Sequence, residues 1–241
     1  LKSGDTVSPN PLPIRAVVFD LDGTLLDTAG DFIVVLNQLR REHQLPELTD
    51  EAIRRTVSNG ARALIELGFN VTESDPEFAP LRSRLLELYM QHIAVYTQPF
   101  SGIIELLHDI KRCGLGWGIA TNKPELYTQA LLDKLALKPA PEVVICPDNI
   151  THRKPDPESL LFAARHFECE PSQIIYLGDH IRDIDCGRRA GAITIGCGYG
   201  YIDEGDDPKN WQADYLVNHS LELAPLIARL IQARQTAEQP A

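Results

Sequence analysis

Apolar positions follow two rhythms along this chain. Residues 14–19, 117–120, 143–146, 174–177 and 192–197 are short runs rich in valine and isoleucine, and each predicts a strand. The stretches between the last four carry apolar residues at helical spacing. Continuous apolar strands alternating with amphipathic helices predict an α/β fold, a doubly wound parallel sheet with helices on both faces. One interval breaks the rhythm, because residues 20–116 separate the first strand from the second while a crossover needs only about a dozen. Within it Phe32, Leu36 and Leu39, and then Phe78, Leu81, Leu85, Leu88 and His92, recur at three- and four-residue steps. The expected organisation is therefore an α/β core of residues 14–28 and 98–232, a helical insertion at 29–97, and flexible tails at 1–13 and 233–241. At finer grain, Ser101 is expected to cap the helix carrying Ile104, Leu107 and Ile110, and Asp156 with Pro157 to open another.

Composition narrows the class. The 241 residues are 44% hydrophobic and 24% charged, as in ordinary globular proteins. Against 34 acidic residues stand 23 Lys and Arg, so the net charge of −11 argues against nucleic acid or an anionic membrane as a partner. An anionic small molecule would need locally placed cations. No apolar run approaches the roughly 18 residues of a membrane span, and the first residues have no apolar segment of the secretory kind. The five cysteines form no C-x-x-C pair, which predicts reduced thiols in a cytoplasmic protein.

Four local patterns carry candidate chemistry. Val17-Val18-Phe19-Asp20-Leu21-Asp22-Gly23-Thr24 is an apolar strand ending in two carboxylates. Ligands of open parallel sheets gather outside the carboxyl ends of the strands, where Asp20 and Asp22 fall. Two carboxylates sharing a site favour a division into nucleophile and proton donor. A second strand ends at Thr121-Asn122, whose hydroxyl and amide suit phosphate oxygens. Lys154 lies in a loop leading to a helix. The strand at 174–177 is followed by Gly178-Asp179-His180-Ile181-Arg182-Asp183, and carboxylate oxygens of this kind suit Mg²⁺ beside a substrate phosphate. Each pattern also has an ordinary structural explanation: a D-G turn, a strand-end cap, a solvated lysine and a first-turn acid. Two lone histidines, His152 and His180, lack ligand spacing and are expected to be surface or supporting groups.

In combination, D-x-D-x-T at Asp20, a strand-final Thr121, the loop Lys154 and G-D-x-x-x-D at Gly178 resemble the haloacid dehalogenase superfamily from Ile14 to about Leu230. The resemblance implies Asp20 as nucleophile, Asp22 as acid and base, Thr121 and Asn122 as phosphate ligands and Lys154 as charge stabiliser. It also implies Mg²⁺ held by Asp20, the main-chain carbonyl of Asp22 and Asp179, with Asp183 nearby. An acid at position 22 points to a phosphatase or phosphomutase, and an insertion after the first strand is similar to the family's helical cap. Thr121-Asn122-Lys123-Pro124 and Lys154-Pro155-Asp156-Pro157 are similar to phosphoglycolate phosphatases. Residues 145–148, 198–201 and 210–211 are more similar to bacterial N-acetylmuramic acid 6-phosphate phosphatases. The implied activity is Mg²⁺-dependent hydrolysis of a small carboxylate-bearing phosphomonoester: N-acetylmuramic acid 6-phosphate first, 2-phosphoglycolate second. A sugar phosphomutase and a phosphate-sensing module are the rivals; oligomeric state is not legible. For the substrate's carboxylate, Arg62 in the loop Ser58-Asn59-Gly60-Ala61-Arg62 is the expected partner, since a guanidinium offers a bidentate fork.

Overall fold

The computed structural model describes residues 12–236. The chain enters β1 (Ala16–Phe19) and then β2 (Leu26–Asp27), which pairs antiparallel with the later β3 (Gln98–Pro99). Between β2 and β3 run α1 (Ala29–Glu42), α2 (Asp50–Thr56), α3 (Gly60–Phe69) and α4 (Phe78–His92), of which α1 and α4 carry the apolar spacing seen in the sequence. After β3 come α5 (Ile103–Arg112), β4 (Gly116–Ala120), α6 (Glu125–Leu135), β5 (Val143–Ile145) and α7 (Glu158–His166). The chain ends with β6 (Ile174–Gly178), α8 (Ile181–Ala190), β7 (Ile193–Cys197), β8 (Tyr215–Val217) and α9 (Leu223–Thr236).

The sheet is parallel throughout, in the order β5-β4-β1-β6-β7-β8. β1 is thus central, and the strand order turns about it from one side of the sheet to the other. Period-two alternation sorts its side chains. Val17 and Phe19 join the apolar cluster that includes Ile175, Leu177, Leu107 and Ile227, while Ala16 and Val18 join Tyr176, Leu160, Ala163 and Cys186 on the opposite face. The first cluster continues into the inserted helices through Phe32, Leu36, Leu85 and Tyr89. Because Phe19 is level with both Ile119 and Leu177, β1, β4 and β6 end together and place Asp20, Thr121 and Asp179 along one edge.

A polar clasp holds the insertion to its connections. The fully buried Asp31 carboxylate accepts hydrogen bonds from Tyr96 N (2.8 Å) and Thr97 Oγ1 (2.6 Å), joining the start of α1 to the returning chain.

Several local expectations differ from the fold. The strands β2, β3 and β8 are only two or three residues long, too short for alternation to reveal them. Gly102, not Ser101, stands at the N-cap of α5, with φ of 79° in the left-handed region that glycine tolerates. Residues 233–236 continue α9, anchored by the buried Leu223, Leu226, Ile227 and Ile231, instead of belonging to a tail. Of the other tail residues, 1–11 and 237–241 lie outside the described residues. Among those described, no helix is long and apolar enough to cross a membrane.

Candidate active site at the carboxyl edge of the sheet

Asp20 leaves β1 with its own N–H bonded to Leu177 O (2.8 Å), so its backbone is still fixed by the sheet where its side chain enters the site. Lys154, only 3% exposed, reaches the same point from the loop before α7. Its Nζ donates to Asp20 Oδ1 (2.6 Å), Ala120 O (2.9 Å) and Tyr176 Oη (3.0 Å), and lies 2.7 Å from Asp183 Oδ1. A buried ammonium needs such partners, and here they come from three strands and a helix.

Ligand oxygens of Asp20, Asp179 and Asp183 lie within 4.8 Å of one another, and all three residues are buried. Burial is the main force raising the Asp20 carboxyl to about 6; Lys154 opposes it and Asp183 adds to it. Burial, then the charges of Asp20 and Asp183, pushes Asp179 well above the usual carboxylate range. Three buried carboxylates with a single lysine among them form a site whose charge a hard divalent cation would balance, so the donor set fits Mg²⁺. Asp179 Oδ2 also accepts from Tyr201 N (2.8 Å) and Ser58 Oγ (3.0 Å). Gly23, at φ of 83°, makes this packing possible: a Cβ there would sit 2.1 Å from Asp179 Oδ2.

Asp183 has two roles at once. It contacts Lys154, and its Oδ2 accepts from His180 N (3.2 Å) in the capping box that opens α8. His180 is a supporting group, its Nδ1 accepting from Arg182 N (3.1 Å). His152 is exposed and pairs with Glu158 at 3.2 Å. The Asp22 side chain stands outside the carboxylate cluster, with Oδ1 accepting from Thr28 Oγ1 (2.7 Å) and Lys123 Nζ (2.9 Å). Thr121 is buried, and its Oγ1 accepts from Lys123 N (3.1 Å). Asn122 holds the lysine loop: Nδ2 donates to Lys154 O (3.2 Å) and Oδ1 accepts from Lys154 N (3.1 Å).

The loop ahead of α3 does face this edge, through residues other than the arginine expected to do so. Ser58 reaches Asp179, Asn59 Nδ2 donates to Asp203 Oδ1 (2.6 Å), and the Arg182 guanidinium donates to Ser58 O. The side chain of Arg62 is 58% exposed, and its ion pair is with Glu66 one turn further on, at 3.8 Å. Arg54 instead forks Asp27 (2.9 and 3.0 Å) and covers the Tyr201 ring at 4.9 Å. Tyr201 Oη accepts from Thr28 N (2.6 Å) and Ala29 N (2.9 Å) and donates to Asp27 Oδ1 (2.8 Å), tying the start of the insertion to the carboxyl edge of the sheet.

Residues 17–197 match the family model described as haloacid dehalogenase-like hydrolase. The chain belongs to this family. Among curated relatives of this haloacid dehalogenase-like hydrolase, the N-acetylmuramic acid 6-phosphate phosphatase of Pseudomonas aeruginosa is 42% identical, over 90% of this chain and 96% of its own length. A phosphoglycolate phosphatase of Xanthomonas campestris pv. campestris is 38% identical, over 87% of this chain and 94% of its own. The crystal structure of a subfamily IA HAD-superfamily hydrolase from Geobacter sulfurreducens shares the fold at a TM-score of 0.70 and 22% identity, covering 92% of this chain and all of that one.

Proposed function

We propose that this hydrolase is a Mg²⁺-dependent phosphatase acting on a small carboxylate-bearing phosphomonoester through an aspartyl-phosphate, with N-acetylmuramic acid 6-phosphate as its preferred substrate. The observation that carries this reading is Asp20: it stands at the end of the central strand, bonded to Lys154 and clustered with the carboxylates of Asp179 and Asp183. Its carboxylate attacks phosphorus while the bond to the leaving alcohol breaks and Asp22 gives that oxygen a proton. Asp22 then takes a proton from water as the water oxygen bonds to phosphorus, releasing phosphate and restoring Asp20. Lys154 and Thr121 stabilise and orient the nonbridging oxygens. When bound by Asp20, the Asp22 carbonyl and Asp179, with Asp183 beside them, Mg²⁺ supplies further charge neutralisation. The helical insertion serves as a cap that restricts access to small substrates, and the free cysteines suit a reducing cytoplasm.

Support for the substrate comes from the 42% identity to the Pseudomonas enzyme, against 38% for the phosphoglycolate phosphatase. The test is a steady-state comparison of N-acetylmuramic acid 6-phosphate, 2-phosphoglycolate and glucose 6-phosphate with Mg²⁺. The first is expected to have the highest kcat/KM; a higher value for phosphoglycolate would transfer the assignment to it. In heavy-oxygen water the released phosphate should carry solvent label at every turnover, whereas an isomerised sugar phosphate as main product would indicate a mutase. Arg62 is the cap-side candidate for the substrate carboxylate. Arg62→Ala should then lower kcat/KM for the acid-bearing substrate about tenfold to a hundredfold, the loss of a hydrogen bond to a charged group, with a far smaller effect on glucose 6-phosphate. An equal loss on both would mean that Arg62 supports the phosphate or the cap fold, and no loss on either would leave it as a surface charge paired with Glu66.

A further inference from the structure

Lys123 sits two residues beyond Thr121 in the loop between β4 and α6, yet its side chain is only 7% exposed. A lysine in such a loop has an easy route to water. This one points inward instead, donating to Asp22 Oδ1 at 2.9 Å. The inserted helices provide its other surroundings. The ammonium lies 5.1 Å from the ring centroid of Phe32 on α1 and 4.7 Å from that of Tyr89 on α4, and the two rings stack on each other at 4.2 Å with planes 7° apart. Rings stacked on each other cannot both turn a face to it, so the ammonium lies against the side of the pair, within cation–π distance of both centroids. Thr28 Oγ1 donates to the same carboxylate oxygen at 2.7 Å, so both donors to Asp22 found among the described residues fall on Oδ1, leaving Oδ2 clear of them.

The phosphoryl-transfer scheme places Lys154 against the nucleophile and gives Lys123 no task. A desolvated ammonium held by a carboxylate from β1's loop and by two rings from the insertion is nevertheless a costly arrangement to keep in a loop. We propose that Lys123 is the positioning residue for Asp22: it fixes the carboxylate through Oδ1 so that Oδ2 handles the proton, and it makes that geometry depend on the seating of the inserted helices. The proposal rests on the reading of Asp22 as acid and base. In the first half-reaction the Oδ2 proton passes to the leaving oxygen as its bond to phosphorus breaks. In the second, Oδ2 takes a proton from the attacking water. Lys123 keeps its own protons throughout.

The experiment separates proton delivery from binding and folding by the choice of leaving group. A sugar or glycolate oxygen is a poor leaving group that needs protonation, whereas p-nitrophenolate leaves without help. Because kcat/KM covers only the steps through transfer to Asp20, water activation in the second half-reaction does not enter. Lys123→Met retains the length of the side chain and can pack against the same two rings. It should lower kcat/KM for the alkyl phosphate about a hundredfold, the cost of misplacing a reacting group, with a loss at least about tenfold smaller on p-nitrophenyl phosphate. Lys123→Arg should recover part of the alkyl activity. Combined with Asp22→Asn, Lys123→Met should add little further loss, since the two act as one unit. Equal losses on both substrates, or no loss on either, would overturn the proposal. If thermal melting shows that Lys123→Met does not fold, Lys123→Gln carries the same comparison with the same outcomes. A wild-type protein that hydrolyses no phosphomonoester with Mg²⁺ would instead overturn the phosphatase reading, and this inference with it.

Discussion

Asp179 has a local environment that works against its own charge. Its carboxylate is buried beside Asp20 and Asp183, and burial first, then those neighbours, raises its proton affinity well above the usual range. Without a cation this is a source of instability, which Asp179→Asn would relieve while retaining an oxygen to accept from Tyr201 N and Ser58 Oγ. We expect the metal-free variant to melt at the same temperature as the wild type or higher, by about 2–4 °C if 1 kcal/mol of repulsion is relieved. Turnover should meanwhile fall by about a hundredfold or more, and the Mg²⁺-induced rise in Tm should disappear. Thermal melts with and without Mg²⁺ check this, and a clearly lower Tm for the metal-free variant would contradict it. At the nucleophile, Asp20→Asn should remove turnover by at least about a thousandfold while the protein remains folded. These residues were legible in the sequence because each follows an apolar run that had to be a buried strand, which fixes where the next residue lies. Lys123, Tyr176 and Tyr201 were not legible as site residues. Tyr176 reads as one more apolar strand position, and the partners of Lys123 and Tyr201 come from segments remote in sequence that only the packed fold brings together.

The connection between core and insertion has its own stability term at the scale of elements. β2 and β3 offer only a two-residue antiparallel pair, so the clasp at Asp31 has to supply much of the local definition. Asp31→Ala removes two hydrogen bonds to a charged acceptor and leaves Tyr96 N without its partner. A loss of about 2–4 kcal/mol in urea denaturation is expected from bonds of that kind, and Asp31→Asn should restore a part of it. A loss below about 0.5 kcal/mol, the usual range for a surface substitution, would show that the clasp is dispensable. Long amphipathic helices announced the insertion through the spacing of Leu81, Leu85 and Leu88. The clasp itself gave no signal, since an aspartate in the first turn of a helix usually serves only the helix.

For the whole molecule, the governing balance is between a net charge of −11 and the concentration of buried carboxylates at one edge of the sheet. In the metal-free protein burial raises Asp20 from 3.8 to about 6, despite Lys154. A carboxyl raised on folding favours the native state below its unfolded value, and that contribution is lost as pH climbs through about 6. Above that pH the metal-free site carries an uncompensated anion that Mg²⁺ would neutralise. Below it, the cation has to displace a proton from the same carboxylate, so protons and metal compete. Saturating Mg²⁺, at about a hundred times its Kd, should therefore stabilise the protein by about 2.7 kcal/mol near pH 7.5, a rise of roughly 5–10 °C in Tm. The rise should shrink progressively through pH 6 and be largely gone at pH 5. Melting curves at these three values, each with Mg²⁺ and with chelator, isolate the effect from the general loss of negative charge, because only the difference between the paired curves is read. A difference that stayed constant, or grew, as pH fell would mean that the cation binds elsewhere than among Asp20, Asp179 and Asp183.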